Sequence, residues 1–329
     1  MSVSESPSWQ SVLQRLIRTT PERQRLATAL GVTSMTLSRW ANGESRPHRS
    51  HLIRLVQAVH PQYRQELLEA LRRSFPDIDT LLRESAVEQV PSEFFAQVLS
   101  ARTTTIESLR FWQIGEMVLR QALAQLDPNH LGMSITLIQC MPPHPDGKIR
   151  SLRERMGKGT LPWTADLEQM ALFLGMESLA GYVVESGRVQ SIEDLRKYHL
   201  VPAYQSEFEI SAAAHPIWLG GRVAGCLLAS STEVGYFSQQ RMSLLAIFSD
   251  LASLAFDPSE FYAPSQIELR PMPSPEKQRP ILATFRQRVA RLQYQRRLSN
   301  AEAEREAWRE IEEELLRLGE QENETLLSP

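Results

Sequence analysis

Only two cysteines, Cys140 and Cys226, occur in the 329 residues. They lie far apart and fit neither a disulfide framework nor a CxxC pair, which sets aside a stapled fold and a structural zinc site and points to a reducing compartment. No apolar run approaches the roughly 18 residues that span a bilayer, and the opening MSVSESPSWQ lacks the basic and apolar stretches of an export signal. A cytoplasmic protein with no membrane partner is the expectation. Catalytic signatures are missing too: there is no P-loop, GxGxxG, GxSxG or HExxH. Neither an enzymatic activity nor a cofactor is expected.

Lysine is absent from the first 75 residues, where 11 Arg stand against 5 Glu for a net +6; since the chain carries −3, the other 254 residues carry −9. A basic module is joined to an acidic remainder. Positive charge of this kind attracts polyanions through phosphate contact and counterion release.

The basic module reads as a run of helices. Trp9, Val12, Leu13, Leu16 and Ile17 recur at the spacing of one apolar helix face. Thr20 before Pro21 predicts a cap and a first turn, Leu26, Ala27 and Leu30 a buried side, and Gly31 a stop. Thr33 is the natural cap of a third helix that Asn42-Gly43 ends. Leu52, Ile53, Val56 and Val59 make a fourth, and Tyr63, Leu67, Leu68 and Leu71 a fifth. Two helices about a tight turn within residues 20–47 are the arrangement of a helix-turn-helix. On the second of them Leu37 and Trp40 point one way and Ser34, Met35, Ser38 and Arg39 the other. Serine hydroxyls match base edges, methionine a thymine methyl, and arginine the O6 and N7 of guanine. The helix start after Thr20, with Arg23, Arg46 and Arg49, is placed to grip phosphates.

The residues Leu26-Ala27, Leu30-Gly31-Val32, Thr36-Leu37-Ser38-Arg39-Trp40 and Asn42-Gly43 with Pro47 resemble the Cro/CI-type (XRE) repressor family over about a fifth of the chain. The resemblance implies double-stranded DNA as partner, base contacts from positions 34, 35, 38 and 39, and a phosphate clamp at Arg23. The chain departs from the family in placing Arg23 and Gln24 where members often carry glutamine.

Beyond a joining helix at about 103–126, built on Ile106, Leu109, Ile114, Val118, Ala122 and Leu126, short β-rich runs appear: 133–141, 180–184, 211–219 and 222–230. Gly220-Gly221 predicts a tight hairpin between the last two. A helix over 238–255 closes what reads as an α+β domain. The segments AGYVVESGRVQSIEDL, AHPIWLGGRVAGCLLASS and YFSQQRMSLLAIFSDLASLAF resemble a GAF sensory domain spanning about 105–257. That resemblance implies an antiparallel sheet with flanking helices and a pocket between one sheet face and residues 142–210, with Tyr182, His199, Tyr204, Phe208, His215 and Trp218 as ligand-binding candidates. No cysteine lies near His199 for the thioether link of bilin-binding relatives, and the signature of cyclic-nucleotide-binding relatives is missing. A sulfoxide reductase of this type needs several reactive cysteines, and only Cys226 lies in the relevant region. His144 and Asp146 have a metal-like spacing but sit in the turn-forming PPHPDGK.

The domain organisation read from these features is a helix-turn-helix module over 1–85, a linker and joining helix over 86–130, a GAF-like domain over 131–257, a proline-rich extended linker over 258–280 and a long polar helix over 281–329. In the last, Leu282, Phe285, Val289 and Leu292 form one seam and Trp308, Ile311, Leu315 and Leu318 another, out of heptad phase; a coiled coil and a helix packed on its own chain both fit. The fold class is multidomain α+β. The function read from this is a homodimeric, sequence-specific transcriptional regulator, its GAF-like domain sensing a small molecule or serving dimerisation. A non-catalytic adaptor, with the helical N-terminus on a protein partner and the GAF-like domain as scaffold, stands as the alternative.

Overall fold

The computed structural model describes residues 7–79, 82, 89–167, 172–197 and 208–327. The chain divides into two compact units, Met1–Glu88 with Asp127–His130, and Gln89–Leu126 with Leu131–Pro329.

The described part of the first unit contains α1 (Trp9–Leu16), α2 (Thr20–Leu30), α3 (Ser34–Ala41), α4 (Arg49–Ala58) and α5 (Pro61–Ser74). Local chemistry sets the boundaries. Ser8 caps α1 by accepting from the Ser11 N–H, and Thr33 caps α3 by accepting from the Thr36 N–H at 3.1 Å. Helix α2 begins one residue earlier than its sequence suggests: the Arg23 N–H donates to the Thr19 carbonyl at 3.0 Å, which makes Thr19 rather than Thr20 the cap, and no side-chain bond supports it. Gly31 ends α2 in the left-handed conformation. Leu26, Leu30, Leu37, Leu52, Leu67 and Leu71 are fully buried, whereas Tyr63, predicted inside, is exposed. The buried Arg64 donates to the carbonyls of Val56, Gln57 and Val59 at 2.9–3.2 Å, satisfying the open end of α4.

In the second unit the predicted joining helix is two helices, α6 (Ser92–Thr104) and α7 (Glu107–Leu126). Ile106 lies at the break and, with Leu109, is exposed, while Ile114, Val118, Ala122 and Leu126 are buried. The sheet has strand order β3-β2-β1-β6-β5-β4 for β1 (Met133–Cys140), β2 (Leu152–Gly159), β3 (Phe173–Leu174), β4 (Gln190–Ile192), β5 (Ser211–Leu219) and β6 (Arg222–Ser231). Every pairing is antiparallel. At the β5–β6 hairpin Gly220 and Gly221 take φ of 57° and 77°, the double left-handed turn that glycine adopts without strain. Helices α7 and α9 (Gln239–Ser253) pack on the sheet, and α8 (Leu179–Ser186) packs on β5 and β6. The run 180–184, expected as a strand, lies within α8. Ser178 caps it by accepting from the Gly181 N–H at 2.9 Å and Gly187 closes it, so its two valines sit on a buried helix side.

The stretch 258–280 is not a free linker. Phe261, Ile267, Leu269 and Met272 are buried, Tyr262 bridges to Val223, and Ile267 bridges to Ile149. It forms a strap along the sheet domain and runs into α10 (Pro275–Leu282), α11 (Phe285–Arg296) and α12 (Asn300–Leu327). The single long polar helix expected here is broken at Arg297, in left-handed conformation. Ion pairs Arg288–Glu314, Arg291–Glu310 and Arg296–Glu306 show that α11 and α12 run antiparallel. The two out-of-phase seams face each other: Phe285 stacks on Trp308 with ring centroids 4.1 Å apart, and Val289 and Leu292 meet Ala303 and Ala307. Ile311 and Leu315 then pack on Met141, Phe173 and Met272 of the sheet domain.

Candidate functional site

Two sites follow, one in each unit. In the first, α3 buries Leu37, Trp40 and Ala41 and turns Met35, 67% exposed, and Arg39 outward. Ser34 and Ser38 are half-buried on the same side, and the Ser38 hydroxyl donates to the Ser34 carbonyl at 3.0 Å. Arg46 is exposed, and neither it nor Arg39 has a hydrogen bond or ion pair among the described residues. Arg49 is also exposed but pairs with Asp77 at 2.7 Å. Arg23 is half-buried and donates to the Ile17 carbonyl at 3.3 Å, so part of its guanidinium is engaged in joining α2 to the end of α1.

The second site is a cavity of about 770 Å³ in the sheet unit. Alternation along the strands builds it. In β1 Ile135 and Leu137 are buried opposite Ser134 and Thr136, which line the cavity, and Leu228 and Ser230 of β6 join them. The apolar wall comes from Leu179, Ile192, Leu195 and Ala212, and the strap with α10 and α12 contributes Pro271–Glu276, Gln278, Arg279, Gly319 and Glu322. Trp163 and Phe208 stand edge to face, centroids 6.4 Å apart, in the lining.

Three carboxylates of the sheet domain face this space. Glu177 is taken up by the backbone, accepting from the Gly175 N–H at 2.8 Å and the Met272 N–H at 3.0 Å, which pins the strap. Glu209 accepts from the Ser230 hydroxyl at 2.5 Å. Glu154 accepts from the Leu172 N–H at 3.0 Å through one oxygen; burial, with Glu209 as like-charged neighbour, pushes it up to about 7.

Of the ligand candidates named from sequence, only Phe208 lines the cavity among the described residues. Tyr182 points outward from α8 and is 46% exposed. Trp218 packs beside Gly187 on the core cluster around α8, and the half-buried His215 holds its Nδ1 3.0 Å from the Pro216 carbonyl on β5. His199 and Tyr204 lie outside the described residues. The residues missed are Ser134, Thr136, Glu154, Glu209 and Ser230. A signal was present in β1, where Ser134 and Thr136 alternate with the buried Met133, Ile135 and Leu137; Glu154 stands between Arg153 and Arg155 and Glu209 precedes β5, so neither stood out.

His144 and Asp146 form a turn, with the Gly147 N–H donating to the His144 carbonyl at 2.8 Å. Among the described residues no group of three or more His, Cys, Asp or Glu is placed to hold a metal, and no helix is long and apolar enough to cross a membrane. Cys140 and Cys226 are both buried, and burial pushes both thiols up.

Residues 114–257 match the GAF domain family, so the second unit carries a GAF domain. No curated protein matches the chain. Among solved structures it is similar to the GAF domain of the Acinetobacter phosphoenolpyruvate-protein phosphotransferase, at 14% identity over 50% of this chain and 90% of that one with a TM-score of 0.35. It is also similar to the type II free methionine-R-sulfoxide reductase of Thermoplasma acidophilum, at 16% identity over 47% and 98% with a TM-score of 0.33. A third similarity is to the GAF domain region of a putative membrane protein of Geobacter sulfurreducens PCA, at 22% identity over 44% and 94% with a TM-score of 0.32.

Proposed function

We propose that this chain is a DNA-binding transcriptional regulator whose N-terminal helices read duplex DNA and whose GAF domain senses a small molecule. The observation that carries the first half is α3. Its apolar side is buried, and the opposite side presents Met35 and an Arg39 with no ion pair among the described residues, beside two serine hydroxyls, the chemistry of a major-groove reader. The net +6 of residues 1–75 supports it. The second half rests on the cavity of the GAF domain, about 770 Å³ and of the size of ordinary ligand sites. The reading is non-catalytic, in keeping with two buried thiols held in the unreactive protonated form.

A single module of this kind covers little DNA, so binding as a homodimer to paired half-sites completes the proposal. Selection of bound fragments from genomic DNA, followed by gel-shift titration with the full chain, tests it. A recovered site with two half-sites, bound with affinity that falls steeply as salt rises, is the expected result. Binding that is indifferent to salt, or no selected fragment, overturns it.

A further inference from the structure

Ser134 and Thr136 are each 8% exposed and line the cavity, and neither hydroxyl has a hydrogen-bond partner among the described residues. Buried hydroxyls in a folded interior normally find partners. The strand register explains why these two have none. Thr136 lies between Leu228 of β6 and Gly157 of β2, and neither neighbour has a side-chain donor or acceptor. Ser134 lies between Gly159 of β2 and Ser230 of β6, whose hydroxyl donates to Glu209 at 2.5 Å. Two glycines thus stand beside the two hydroxyls and leave them uncovered. The nearby carboxylates are occupied as acceptors: Glu177 takes two backbone N–H groups and Glu154 the Leu172 N–H.

Residues two apart on an antiparallel strand share a face and are separated by about 6.8 Å. A single ligand atom between two hydroxyls at that spacing, with bonds of about 2.9 Å to each, falls short of one of them. An amide reaches both. Its oxygen and nitrogen stand about 2.3 Å apart, the oxygen accepts from one hydroxyl, and the N–H donates to the other. Charge argues the same way. Arg279 is the only cationic side chain in the lining among the described residues, so an anionic ligand meets Glu154, Glu177 and Glu209 with little to offset them. An ammonium brings donors alone and leaves both hydroxyl protons without an acceptor. A ligand that displaces solvent from such hydroxyls keeps its affinity only by making those bonds itself.

Resting on the sensing role proposed above, we propose that the cavity takes an uncharged carboxamide, its amide bridging the hydroxyls of Ser134 and Thr136 and its apolar body against Leu179, Ala212 and Leu228. The two hydroxyls make no bond within the fold, so they serve the ligand and not the protein's stability. Removing either one costs binding and leaves folding as it was.

Four molecules of one shape test this on the full chain, by titration followed in the ligand's NMR signals: 3-phenylpropanamide, 4-phenylbutan-2-one, 3-phenylpropanoate and 3-phenylpropanamidine. The amide is expected to bind about fivefold tighter than the ketone, which lacks the donor, and about tenfold tighter than the carboxylate or the amidinium. Ser134→Ala and Thr136→Val are each expected to weaken the amide about fivefold. One of the two variants brings amide and ketone level, by removing the partner of the N–H; the other weakens both alike. Neither variant is expected to lower the urea midpoint. A variant that loses stability shows its hydroxyl to be spent within the fold and overturns the bridge. Equal binding of amide and ketone by the wild type, or tighter binding of the carboxylate or the amidinium, overturns the amide and leaves the sensing role standing. Absence of saturable binding by all four overturns both.

Discussion

The Ser151 hydroxyl donates to Glu312 at 2.5 Å in the interior of the sheet unit, where Glu312 is 1% exposed. The bond ties α12 to the start of β2, across 161 positions of sequence. A carboxylate taken out of water in this way is held by its partners and is costly to strand. Glu312→Ala leaves Ser151 and the neighbouring His144 without it. The expected loss is about 2–4 kcal/mol of stability, read by urea denaturation. Proteolysis between α11 and α12 is expected to accelerate in parallel.

His144 Nε2 lies 3.5 Å from Glu312, an ion-pair distance rather than a well-formed hydrogen bond. The Glu312 carboxylate, helped by Asp146 and opposed by burial and Arg309, raises His144 above the usual histidine range. The folded value exceeds the unfolded one, so the pair's contribution is complete below about pH 6.5 and is lost as pH rises through the folded value. Melting temperatures across that range should fall more for the wild type than for His144→Gln. Parallel curves would contradict the assignment.

Gly319 of α12 passes so close to the strap that a Cβ built on it stands 2.1 Å from the Pro271 carbonyl oxygen. Gly319→Val therefore forces helix and strap apart, at an expected cost of about 1–3 kcal/mol. A thermal melt measures it, and both residues border the cavity, so its wall shifts with them.

Arg64 belongs to the +6 of the N-terminal residues yet spends its charge inside, on the last carbonyls of α4. Arg64→Ala should cost the first unit about 1–3 kcal/mol by leaving those groups unsatisfied. The salt dependence of the proposed DNA binding should be unchanged, because this guanidinium is buried on those carbonyls.

Met35 gives the opposite pattern. It is exposed on α3, so Met35→Asp should shift stability by no more than about 0.5 kcal/mol. DNA affinity should fall more than tenfold through repulsion from phosphates. Arg39→Ala should weaken binding chiefly at one base pair, by about 1–3 kcal/mol in a shift assay against single-substitution sites.

Local rules were readable in part: the cap at Thr20 was one residue late, and the Ser178 cap and Gly187 stop around 180–184 went unread, but other marks were plain. Thr33, Gly31 and the Gly220-Gly221 pair mark a cap, a stop and a turn, and each appears where its chemistry puts it. Long-range decisions were opaque. Phe261 and Met272 come singly and Ile267 and Leu269 as one short pair between prolines, too brief a pattern to announce burial, so the strap read as a linker. Arg297 takes a left-handed conformation usually marked by glycine, which hid the break between α11 and α12. The ligand candidates were chosen as large aromatic and imidazole side chains. The cavity instead uses small hydroxyls and carboxylates, whose role depends on which strand lies beside them.

The strap has a practical consequence. Glu177 holds Met272, and residues 271–279 with Gly319 and Glu322 complete the cavity, yet the family match stops at residue 257. A fragment trimmed to the family boundary would lose one side of the cavity and expose Phe173 and Met141, now covered by α12. Such a fragment would offer an open, sticky trough, and molecules selected against it would be answers to a different molecule.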